Sequence, residues 1–288
     1  MAKRILIQTT IPTTEDDWHV GRFSLLTEYL RGLRDESGQA LFEVTARDRD
    51  PLGAPDEVLT GLEQSDFDQL WLFAVDTGDG LGSEECAAIS AFRARGGGLM
   101  VTRDHMDLGS SVCTLGGVGK AHHFHSTNPE PDSSRWTRDD VETTDIDWPN
   151  YHSGANGDFQ TITIEDQPHP VLRDPEGEDG LLHFLPSHPH EGAVSAPRDE
   201  AYSRVIATGV SQTTGARFNL ALAFEAEPDG SGRAIAQSTF HHFCDYNWDP
   251  RSGCPSFVSE APGDKIITDP RGLRSAKIYV RNLANWLS

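Results

Sequence analysis

Strand-like apolar runs separated by helix-like segments fill the chain as far as His105, and that alternation restricts the fold more than any other feature. The runs are RILIQTT (Arg4 to Thr10), LFEVTARD from Leu41, DQLWLFAV (Asp68 to Val75) and GLMVTRDH ending at His105. In FSLLTEYLRGL, the residues Phe23, Leu26, Leu30 and Leu33 recur at helical spacing. PDEVLTGLEQ predicts a short helix. SEECAAISAFRARGGG predicts a longer one, with Ser83 as its cap, acids in the first turn, arginines in the last and glycines at its end. Strand and helix in alternation call for a parallel sheet with crossover helices, an α/β fold.

Beyond His105 the pattern changes. Residues 106–160 are rich in Gly, Ser, Asp and Pro with little periodicity, and read as a long loop-rich insertion on the ligand face. QTITIEDQPHPVL, YSRVIATG, FNLALAFEA and RAIAQSTF then predict further strands, and GLRSAKIYVRNLANWLS an amphipathic closing helix. The 288 residues are expected to form a single domain, 1–288, with its insertion at 106–160.

Charge narrows the partners. Forty-five acidic residues against 24 basic ones leave a net charge of −21, which repels nucleic acid and anionic membranes, so neither is expected as a partner. No apolar targeting segment or membrane-length run is found, and a cytoplasmic protein is expected. Cys86, Cys113, Cys244 and Cys254 form neither a disulfide framework nor a paired zinc signature, although a Cys244–Cys254 bridge is left open.

Several elements resemble one family. A strand leads to a loop carrying His19 at a helix start. GGG precedes a strand and a turn with His105, and GKAHHFH, EDQPHPVL, GRAIAQSTFHHF and a closing helix with Trp286 follow. This order is similar to the trehalose-utilisation (ThuA-like) family of the class I glutamine amidotransferase-like superfamily, over most of the chain. The segment 126–158 departs from the compact family pattern. The resemblance implies a flavodoxin-like three-layer sandwich with a mainly parallel sheet. It also implies a carbohydrate-related small-molecule substrate, and a histidine where true amidotransferases keep a cysteine nucleophile.

The candidate site residues gather in short polar clusters. In TRDH the turn exposes its residues above the sheet edge. His105 is a candidate general base, metal ligand or hydrogen-bond donor, with Asp104 beside it. In DDWH, Asp17 caps a helix or contacts substrate, and the resemblance draws His19 towards the pocket. His123 and His125 in AHHFH would share a face on a strand. In SHPHEG, His188, His190 and Glu191 offer two imidazoles and a carboxylate, a set that suits zinc, iron or manganese. In HHFCDYNWD, His241, His242 and Asp245 are further candidate ligands, with one adjacent histidine expected to face the site and the other to be structural. Tyr246 and Trp248 serve as a stacking wall or as core.

Two function classes follow. One is an enzyme of carbohydrate metabolism working by acid–base chemistry, with a divalent metal as cofactor. The other is a non-catalytic sugar- or metabolite-binding or assembly module, and homo-oligomer formation is left open. A glutaminase lacks its turn cysteine, and no complete dinucleotide, Walker A or GxSxG motif is present.

Overall fold

The computed structural model describes residues 1–136, 138–140, 142–143 and 145–288. Its strands are β1 (Lys3–Thr9), β2 (Phe42–Arg47), β3 (Gln69–Phe73), β4 (Gly98–Val101), β5 (His122–His123), β6 (Phe159–Thr161), β7 (Thr163–Ile164), β8 (Phe184–Pro186), β9 (Ala193–Val194), β10 (Ser203–Val210), β11 (Arg217–Phe224) and β12 (Ala234–Gln237). The helices are α1 (Ser24–Gly32), α2 (Glu57–Thr60), α3 (Ser83–Ala94), α4 (Asp245–Trp248), α5 (Lys265–Thr268) and α6 (Pro270–Trp286).

Eight strands form one sheet in the order β2-β1-β3-β4-β12-β11-β10-β7. The first five are mutually parallel, and each of the last three pairs antiparallel with its neighbours. Counted along the chain, the parallel part has the flavodoxin-like order 2-1-3-4-5. Strands buried on both faces read as unbroken apolar runs, which is why β3 and β4 are wholly buried. Alternation divides their side chains between two cores. Ile5, Ile7, Trp71 and Phe73 meet Leu26 and Leu30 of α1 and Tyr279 and Leu283 of α6. Leu6, Leu70 and Leu72 meet Ile89 and Phe92 of α3 on the other face. Helices therefore cover both faces of a mainly parallel sheet, a three-layer α/β architecture.

Local readings are refined in three places. The cap of α3 is Gly82, not Ser83: the chain is still extended at Gly82, and Glu85 reaches back to accept its N–H. QTITI breaks into β6, which pairs with β8, and β7, which pairs with β10; the following His169 caps a short turn by accepting the Val171 N–H. His169 also sets its ring edge-on to Trp286, ring centroids 4.6 Å apart, so these two residues of the quoted motifs meet as packing partners. All four cysteines are free, which closes the question of a Cys244–Cys254 bridge. Among the described residues, no helix is long and apolar enough to cross a membrane.

Candidate functional site

Because β1, β3, β4 and β12 are parallel, the loops that leave them emerge on one edge, where ligands bind in open α/β sheets. A cavity of about 340 Å³ lies there. Trp18 reaches it from the loop after β1, Val75 and Thr77 from after β3, Asp104 and His105 from after β4, and His241 from after β12. The remaining wall comes from the insertion (Asn156), the loop after β8 (His188, His190) and a strap at 257–260. A wider cleft of about 550 Å³ beside Arg49 and Gly82 gathers no histidine.

Arg103 shapes the turn. Its fully buried guanidinium donates to the carbonyls of Asp104 at 2.5 Å, Met106 at 2.7 Å and Ala193 at 3.2 Å, and lies over the Phe124 ring. Burial pulls it down to about 9, still protonated at neutral pH, with Asp104 acting the other way. Met106 takes a left-handed backbone, φ 46°, an uncommon conformation for a side-chain-bearing residue. Gly192 packs so closely here that a Cβ would strike Arg103 and the Asp104 carbonyl.

Asp104 is thus fixed beneath the cavity, 1% exposed. Its Oδ1 accepts from Thr239 Oγ1 at 2.8 Å and lies 3.2 Å from His188 Nε2; its Oδ2 lies 3.0 Å from His105 Nδ1 and 3.8 Å from His241 Nε2. Burial opposes its ionisation, but a proton carried by the imidazole of His188 or His105 favours the carboxylate and puts the carboxyl well below the usual range. Burial lowers His188 to about 4 against the pull of Asp104, and puts His241 well below an ordinary histidine. At neutral pH the centre holds one carboxylate and two neutral imidazoles here. Nδ1 of His188 faces Asn156 Oδ1 at 3.0 Å, and Nδ1 of His241 faces Asn247 Oδ1 at 2.9 Å.

His190 stands beside this group, its ring centroid 5.3 Å from that of His105 and 5.5 Å from that of His188. Nε2 lies 2.8 Å from Glu260 Oε1, while Nδ1 faces Asn150 Oδ1 at 3.1 Å and Asp140 Oδ2 at 3.4 Å. The His190 contact, helped by Thr143, pulls the Glu260 carboxyl far below its usual range against the opposing effect of burial. Two triplets therefore offer donor atoms within 4.8 Å of one another: Asp104, His188 and His241, and Asp140, His190 and Glu260.

Of the residues singled out in the sequence, Asp17, Asp104, His105, His188, His190 and His241 line the cavity. The others sit elsewhere. His19 caps the turn at Val20–Phe23 by accepting the Gly21 N–H. Glu191 and His242 form a separate buried network 3.4 Å apart, with Ser153 and Ser238 donating to the carboxylate. Asp245 accepts from the backbone of Ser24 and Leu25 and so caps α1. Tyr246 and Trp248 are core residues, 4% and 1% exposed. His123 bonds Asn128 and Ser195 while His125 bonds Trp148, so they share no site. His241 and His242 diverge because they are the central residues of a turn, closed by the Phe243 N–H donating to the Phe240 carbonyl at 3.0 Å. Sequence reasoning missed Trp18, Asn156, Asn247 and Glu260. Trp18 stands between Asp17 and His19, and Asn247 stands inside HHFCDYNWD, so both were within reach; Asn156 and Glu260 lie in segments without periodicity or motif.

No family model matches the sequence, and no curated protein matches it. Among solved structures, the glutaminase domain of Trypanosoma brucei CTPS with bound acivicin is similar at 15% identity and TM-score 0.49, covering 98% of this chain and 93% of that one. The mmIFT52 N-terminal domain is similar at 11% identity and TM-score 0.45, covering 85% and 90%. Both scores are below 0.5, and no residue role or activity is transferred from either protein.

Proposed function

We propose that the cavity binds a divalent transition metal through Asp104, His188 and His241, and that the chain is an enzyme performing metal-assisted acid–base chemistry on a small hydroxylated substrate. One observation carries this reading. His188 Nε2 is buried, has no hydrogen-bond partner, and faces a carboxylate that belongs to the same three-donor group. A lone pair held against a carboxylate in a dry site is costly, and a cation resolves it. Two imidazoles and a carboxylate suit zinc, iron or manganese.

Bound there, a metal would polarise a substrate hydroxyl or carbonyl. The chain's own groups would do the rest. His105 has a side chain 24% exposed, touches Asp104, and is placed to move a proton. Trp18, Leu108 and Phe257 give the cavity an apolar wall, and no Lys or Arg lines it among the described residues. That lining favours an uncharged substrate with an apolar face, as a sugar ring has, over a phosphorylated or carboxylated one. It also contains no cysteine, and the thiol of Cys113, outside it, is pushed up to about 11 by burial, which disfavours glutaminase chemistry.

The test is metal binding by the chelator-treated protein. Zinc, manganese or ferrous ions are expected to raise the melting temperature of the wild type reversibly with EDTA, and to leave Asp104→Ala unmoved. Indifference of the wild type to all three would sink the metal reading. Metal and sugar binding with no turnover would leave a binding module instead.

A further inference from the structure

The direction of every hydrogen bond behind the two histidines can be deduced from one main-chain carbonyl. Ser187 O only accepts. Asn247 Nδ2 lies 2.7 Å from it, so that end of the Asn247 side chain is the amide nitrogen. The same nitrogen donates to Asn156 Oδ1 at 3.0 Å, which settles the orientation of the second carboxamide. Both Asn oxygens therefore face the imidazoles: Asn247 Oδ1 at 2.9 Å from His241 Nδ1, and Asn156 Oδ1 at 3.0 Å from His188 Nδ1. A carboxamide oxygen cannot donate, so both Nδ1 atoms must carry hydrogen. In a neutral ring that leaves Nε2 bare, and these are the atoms that face Asp104.

We infer that Asn156 and Asn247 are positioning residues, a relay anchored on Ser187 that locks His188 and His241 as Nδ1–H tautomers and so turns both Nε2 lone pairs towards Asp104. The relay joins three parts of the chain: Asn156 from the insertion, Ser187 and His188 from the loop after β8, and His241 and Asn247 from the segment after β12. It is hierarchical. Asn247 orients Asn156, whereas Asn247 is anchored directly on Ser187 and does not depend on Asn156. An outer hydrogen-bond partner of this kind fixes the tautomer and ring orientation of a metal-ligating histidine. The metal-binding consequence rests on the function proposed above; the tautomer assignment does not.

The experiment reads the tautomers in the metal-free protein, by long-range proton–nitrogen-15 correlation with labelled histidine at pH 7.5. In the wild type both rings are expected as Nδ1–H tautomers. Asn156→Leu is expected to release His188 and leave His241 locked; Asn247→Leu is expected to release both. Zinc alone is then titrated into each protein, with an expected loss of about 10- to 100-fold in affinity per released ring. Nε2–H tautomers or a tautomeric mixture in the wild type would overturn the inference, and so would unchanged rings in Asn247→Leu. Because the wild-type spectrum is itself decisive, a variant that fails to fold does not remove the test. Locked tautomers without zinc binding would refute the metal reading and leave the relay standing.

Discussion

The imidazole of His188 lies flat on that of His241, ring centroids 3.6 Å apart and 9° from parallel. Two protonated rings at that separation would repel, so the stack itself argues for neutral histidines over a single carboxylate. It also makes His188 a place where stability and function separate. Its Nδ1–H donates to Asn156, but Asn156 Oδ1 also accepts from Asn247, and Asp104 Oδ1 also accepts from Thr239. His188→Phe keeps a ring on His241 and removes an unpartnered buried nitrogen. The melting temperature is expected to stay level or rise, since replacing a poorly satisfied polar group by an apolar one of similar shape is near neutral. Zinc binding, read by calorimetry, is expected to vanish. A large fall in melting temperature would mean that the ring nitrogens stabilise the fold.

The strap over the cavity is held by two clasps. Glu260 Oε1 meets His190 Nε2 at 2.8 Å and accepts from Thr143 Oγ1 at 2.5 Å, and Asp16 accepts from the Ser256 backbone N–H at 2.7 Å. Glu260→Gln loses the charge that makes the first clasp strong. Hydrogen exchange of residues 256–263 is expected to speed up several-fold while the protection of β3 and β4 is unchanged, because local opening leaves the core intact. Uniform exchange in variant and wild type would show that the clasp does not hold the strap.

How much of this was legible in the sequence depends on how each part is encoded. Buried parallel strands are apolar runs by necessity, so β1, β3 and β4 could be read directly, and the alternation of Ile5, Leu6 and Ile7 between two cores follows from the pleat. The turn at Asp104 and His105 was legible because it follows such a strand. Pairing within the polar clusters was not. His241 enters the cavity while His242 turns to Glu191, and His188 meets Asp104 while Glu191 turns to Ser153, since chain neighbours diverge. Asn156 and Glu260 reach the site from loops whose course is set by tertiary hydrogen bonds, to Gly263 in one case and to Thr143 and His190 in the other. Local pattern cannot encode that.

Two histidines away from the cavity add to the response to acid of the buried His188 and His241 within it. Burial lowers His122 to about 3, with the nearby Arg103 adding to it, and lowers His169 to about 4, with Arg204 and Arg233 adding to it. Glu225, 3.2 Å from His169 Nε2, favours the proton but is outweighed by burial. Both values are depressed, so the unfolded chain binds these protons first. The stabilisation is complete above about pH 6.5 and is lost as pH falls through about 4 and then 3. Urea midpoints are expected to fall steadily from pH 7 to pH 4. His169→Asn keeps a capping side chain and should flatten the upper part of that decline. An unchanged slope in the variant would show that His169 does not titrate with unfolding.

Arg103 offers the sharpest test of the turn. Its guanidinium satisfies three carbonyls, those of Asp104, Met106 and Ala193, from a fully buried position. A lysine has one point of charge and cannot span three divergent acceptors with the same fork. Arg103→Lys therefore leaves buried carbonyls unpaired and a poorly solvated ammonium, at a cost of about 3–5 kcal/mol. At roughly 2–4 °C per kcal/mol for a chain somewhat smaller than this one, the melting temperature should drop by about 6–20 °C. The same change should loosen Asp104, so zinc affinity is expected to fall in whatever fraction folds. A variant as stable as the wild type, with unchanged zinc affinity, would show that the turn holds its shape without the clamp.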